Sequence, residues 1–93
     1  MTILRWERLR AVDFYTWKIS AIEGAVSVKE EAVGLVTSYT QSGGSLQPKD
    51  MDGFVILSAQ LHILRRLIAT NRNCLAQALR KVKELFEKEK KTK

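Results

Sequence analysis

The stretch FVILSAQLHILRRLIATNRNCLAQALRKV, residues 54–82, contains no Asp or Glu and carries its apolar side chains at regular intervals. Phe54, Leu57, Leu61, Leu64, Ile68, Asn71, Leu75, Ala78 and Val82, continued by Leu85, alternate spacings of three and four. That is the a/d repeat that keeps a row of side chains on one face of a helix. Only Asn71 interrupts the apolar series, and a single Asn at such a position acts as a register or oligomer-state device. At about 100° per residue, Ile56, Ile63, Leu67 and Cys74 form a second apolar strip beside this seam. The apolar arc then covers about half of the circumference, more than a two-stranded coiled coil uses, so the helix is expected to meet more than one neighbour.

Working outward toward the N-terminus, the same spacing runs through Val12, Tyr15, Ile19, Ile22, Val26, Val33 and Val36, with Lys29 the only polar member. A flanking strip of Phe14, Ala21, Ala25, Ala32 and Tyr39 widens that face as well. Gly24 and Gly34 each cost about 1 kcal/mol of helix propensity. The series nevertheless passes Gly24 without a phase slip, which predicts one long helix from Ile3 to about residue 40, bent at most at Gly24.

Ser42, Gly43, Gly44 and Ser45 are the one clear turn signal, and they fall near the chain midpoint. Gly43 or Gly44 can adopt the left-handed conformation that ends a helix. Pro48 suits the first position of the next helix, and Asp50 and Asp52 meet the positive end of its dipole. The second helix is expected from about residue 49 to 88. Thr70, Asn71, Arg72 and Asn73 are weak helix formers, but Leu75, Ala78 and Val82 resume in register with Leu64 and Ile68, which argues against a break. Residues 87–93 offer nothing apolar to dock and are expected to fray as a basic tail.

The predicted fold is therefore all-α: a single domain, residues 1–93, folded as a long antiparallel helical hairpin with a loop at 41–48. Each arm of about 38 residues would be about 57 Å long at 1.5 Å per residue. Two such helices would leave much of their wide apolar arcs in water, so dimerisation into a four-helix bundle is expected. The alternative is a monomeric four-helix bundle broken near Gly24 and Asn71, with connections near the short limit for helix pairs.

At 93 residues, 45% hydrophobic and 28% charged, the composition is that of a soluble globular chain. One Cys and one His exclude an intrachain disulfide framework and leave too few ligands for structural zinc. No apolar run approaches the ~20 residues of a membrane span. Nor is there a secretory signal, and a cytoplasmic location is expected. Residues 1–20 combine Arg5, Arg8 and Arg10 with Trp6, Phe14, Tyr15 and Trp17, but Glu7 and Asp13 argue against a targeting helix.

The formal net charge of +6 resides in the second half: residues 1–47 hold five basic and five acidic side chains, residues 48–93 eleven and five. Arg65, Arg66, Arg72, Arg80, Lys81 and Lys83 stand between Asp52 and Glu84 with no acid among them. A stripe of this kind can follow a phosphate backbone. It can equally meet the acidic polar side of the first helix, Glu7, Asp13, Glu23 and Glu31, or an acidic partner, and that reading is preferred. No aromatic ring lies between Phe54 and Phe86 to stack on bases, and the helices are too long for a helix-turn-helix.

Catalytic chemistry finds little support. His62 has Arg65 and Arg66 rather than a carboxylate beside it, and a general base needs an orienting partner. Cys74 reads as a small core hydrophobe. Glu30 and Glu31 point apart on a helix, and Asp50 with Asp52 fits a helix start. Trp6 and Trp17 lie off the main seam, where large rings must be covered or serve as a binding patch.

The expected function is that of a non-enzymatic helical interaction protein, an adaptor, chaperone-like or regulatory partner, using no cofactor, metal or small-molecule substrate. Its expected oligomer or partner interface is Phe54, Leu57, Leu61, Leu64, Ile68, Leu75, Val82, Trp6 and Trp17. The alternative is a basic bundle that binds nucleic acid with little sequence preference through Arg65, Arg66, Arg72, Arg80, Lys81 and Lys83.

Overall fold

The computed structural model describes residues 2–91, with side chains from 5 to 90. Two helices, α1 (Thr2–Gln41) and α2 (Pro48–Lys91), pack along their length as an antiparallel hairpin. Neither helix breaks: α1 runs through Gly24 and α2 through Asn71, as the continuous phase of the seam requires. The monomeric four-helix alternative therefore does not occur.

The turn follows from the residues at the end of α1. The Gly44 N–H donates to the Tyr39 carbonyl at 2.9 Å and the Gly43 N–H to the Thr40 carbonyl at 3.1 Å, with Gly43 at φ 92°. This is the paired bonding of a Schellman cap, in which a left-handed residue closes the helix and satisfies its last carbonyls. The Tyr39 ring lies so close over Gly44 that a Cβ there would meet it at 2.4 Å. At the start of α2, Pro48 takes the first helical position, and the Asp50 carboxylate accepts the Gln47 N–H at 3.2 Å. An acid in the first turn thus caps the start of α2 as well as meeting the dipole.

The two seams face each other. Ile19 and Val26 from α1, and Leu61, Ile68, Asn71, Ala78 and Leu85 from α2, are buried. The other seam members described, among them Tyr15, Ile22, Lys29, Phe54, Leu57, Leu64, Leu75 and Val82, are half-buried. Val26, Leu61 and Ile68 centre the core, with Ile22, Val33 and Leu64 packed against them. Lys29 keeps its place in the seam by donating to Gln60 Oε1 at 2.8 Å. Asn71 is 4% exposed and donates through Nδ2 to the Leu67 carbonyl of its own helix at 2.7 Å.

Past the expected end near 88, α2 stays helical to Lys91. At that end the α1 seam continues as Arg5 and Arg8. Arg5 pairs with Glu89 and sits 4.9 Å over the Phe86 ring, while Arg8 Nη1 donates to the Lys81 carbonyl at 3.3 Å. Within the basic tail expected at 87–93, the Arg5 pairing ties Glu89 to α1. Residues 92 and 93 of the expected tail lie outside the described residues. The Nε atoms of Arg5 and Arg8 are buried without a hydrogen-bond partner, an unfavourable arrangement.

The hairpin measures 70 × 19 × 14 Å with a radius of gyration of 20.6 Å. A compact chain of this length would have a radius of about 12 Å.

Candidate interaction surface

The seam residues Phe54, Leu57, Leu61, Leu64, Ile68, Leu75 and Val82, expected at an oligomer or partner interface, face α1 of the same chain. Contacts to anything else must use the flanks of the seam. One flank is ionic. Glu23 and Glu30 stand four residues after Ile19 and Val26, Arg65 and Arg72 four residues after Leu61 and Ile68, and they meet across the helices. Arg65 Nη2 donates to Glu30 Oε1 at 2.9 Å and Arg72 Nη2 to Glu23 Oε1 at 2.9 Å. Of the two arginine partners, Glu23 belonged to the acidic side foreseen from the sequence and Glu30 did not. The pairs are half-exposed, so each contributes about 0.2–1 kcal/mol and chiefly fixes register.

In an antiparallel pair, like flanks adjoin, so the other flank of α1 lies beside the other flank of α2. Here the structure brings the two apolar strips onto one broad face. Phe14, Tyr39, Ile56 and Ile63 are between 51% and 57% exposed and Leu67 is 42% exposed; Cys74 and Ala32 are half-buried. Val28 and Leu35, each 68% exposed, belong to the same face and were missed in the sequence. The signal was available as a seven-residue repeat, Phe14, Ala21, Val28, Leu35, interleaved with Lys18, Ala25, Ala32, Tyr39. It is a second three-four seam on α1. Lys18 is its only charged member, with Nζ 5.6 Å from the Phe14 ring centroid.

Trp6 and Trp17 are 63% and 69% exposed on the outer side of α1. The six basic residues are spread over more than one side of α2. Arg65 and Arg72 are engaged by Glu30 and Glu23, Arg66, Arg80 and Lys83 point outward, and Lys81 lies on the opposite flank from Arg65 and Arg72. His62 and Cys74 are on one helix, about 18 Å apart along its axis. Among the described residues no group of three or more His, Cys, Asp or Glu side chains could hold a metal ion.

The sequence reading found no apolar run near a membrane span, but α2 contains an 18-residue window with a mean hydropathy of 1.2, enough by length and composition alone. The value arises because seam and strip together make α2 apolar on two sides. Only 6% of that window is buried.

No protein family, curated protein or solved structure matches the chain.

Proposed function

We propose that this chain is a non-enzymatic interaction protein of the adaptor, chaperone-like or regulatory kind, working in the cytoplasm through apolar helix faces and associating with itself. The observation that carries this reading is the distribution of apolar side chains. Among the described residues six apolar side chains are buried, while fourteen large ones, from Trp6 to Phe86, are exposed. A chain that buries so little of what it could bury has its remaining apolar surface available to another molecule. Trp6 and Trp17 extend that surface to the outer side of α1, where a different protein could be held.

The ionic flank weighs against nucleic acid. Nucleic-acid binding would rest on Arg66, Arg80 and Lys83, with Lys81 on the opposite flank, because Arg65 and Arg72 already have carboxylate partners. Retardation of duplex and single-stranded nucleic acid at two salt concentrations tests this, and salt-sensitive binding at micromolar protein would reinstate the alternative.

Light scattering across the micromolar range tests the main reading. The expected species has twice the chain mass of 10.6 kDa. A chain that stays at 10.6 kDa and takes up no apolar dye would overturn it.

A further inference from the structure

We propose that the broad face formed by the two apolar strips is where a second copy of this chain docks, completing a four-helix bundle and leaving the Glu–Arg flank on the outside. The inference rests on the interaction reading above and adds which surface is used and what occupies it.

Surface area supplies the first argument. The chain exposes 7381 Å², whereas a compact monomer of its mass would expose about 5,500 Å². The excess of about 1,900 Å² per chain falls in the range that obligate dimers bury and well above the ~800 Å² per partner of a standard interface. A small transient contact would leave most of it in water.

Spacing supplies the second. Phe14 to Tyr39 on α1 alternates steps of four and three, and Ile56, Ile63, Leu67 and Cys74 fall on the matching series of α2. A three-four repeat is the period at which side chains enter the holes of a facing helix. The surface is thus shaped for helices. Glu30–Arg65 and Glu23–Arg72 set the register, so Ile56 to Cys74 stand at the height of Tyr39 to Ala21. The α1 strip is about 37 Å long at 1.5 Å per residue.

Charge and size supply the third. Between Phe14 and Tyr39 the α1 strip contains no acid and one Lys, so a two-fold interface would oppose apolar with apolar. Ala21, Ala25 and Ala32 provide small positions that large residues such as Ile63 and Leu67 can enter.

Three matched substitutions test the proposal. Ile63→Glu and Leu35→Glu place a carboxylate on the docking face. Val55→Glu places the same carboxylate on the other side of α2, at a residue 64% exposed, as the control. All three sites are more than half exposed in the single hairpin, and circular dichroism confirms that each variant is helical. By light scattering and dilution, the wild type and Val55→Glu are expected at twice the chain mass. Ile63→Glu and Leu35→Glu are expected to weaken the dimer at least 100-fold, because a two-fold interface meets each substitution twice. Sedimentation with anionic phosphatidylcholine/phosphatidylserine vesicles covers the competing occupant. If the wild type dimerises but ignores Ile63→Glu and Leu35→Glu, or loses as much with Val55→Glu, the face is wrong while the interaction reading stands. A wild-type monomer that sediments with vesicles overturns the second-copy proposal in favour of lipid.

Discussion

Gly43 shows what a single residue contributes to this hairpin. Its φ of 92° is one that an L side chain reaches only at a cost, so Gly43→Ala should destabilise the protein by about 1–2 kcal/mol. The corresponding fall in the thermal midpoint, several degrees for a domain of this size, is measured by circular dichroism at fixed protein concentration. Asn71 makes the opposite prediction. Its amide is satisfied by the Leu67 carbonyl of its own helix, so Asn71→Leu gives up little hydrogen bonding and gains apolar burial. The urea midpoint should rise by the equivalent of about 1 kcal/mol or more, and the mass distribution should broaden if Asn71 sets the oligomer state. Both residues were identifiable in the sequence. What could not be read there was that Gly44 lies under the Tyr39 ring, because that contact depends on how the chain leaves α1.

At the scale of the helices, cross-helix polar contacts fix register along a seam that apolar residues alone would leave free to slip by a heptad. A double-mutant cycle on Glu30→Ala and Arg65→Ala should return a coupling of about 0.2–1 kcal/mol, largely lost in 1 M salt. Arg5→Ala should release the last turns of α2. Amide exchange at 87–91 is expected to speed up while Leu61 to Ile68 stays protected, and equal effects at both places would show that Arg5 anchors nothing locally. The sequence disclosed both helices, the loop and the seam from Val12 to Val36 and from Phe54 to Leu85. It concealed the anchored end of α2, because Arg5 and Glu89 are 84 residues apart and neither looks like a core residue until the antiparallel register brings them together.

For the whole molecule, an elongated hairpin with a thin core implies that stability depends on what covers its apolar face. If a second copy does so, the thermal midpoint should rise with protein concentration, since mass action favours the assembled state. Midpoints that coincide between 2 and 200 µM would count against a folding-coupled dimer. The apolar window of α2 has two sides: one meets α1, and the other is left largely exposed.

The sequence by itself determined the secondary structure, the turn and the seam, because helix phase, glycine and proline placement and capping acids are local properties that survive in any context. It also contained both apolar strips, although Val28 and Leu35 were overlooked. Only the tertiary structure decided which residues remain for contact with others. Once the two seams face each other, the seam positions between Phe54 and Val82 are taken up by α1, Glu30–Arg65 and Glu23–Arg72 pair on one flank, and Ile56, Ile63 and Leu67 stay exposed on the other. That outcome depends on antiparallel pairing of two distant segments, and so on a relation between residues that no local pattern specifies.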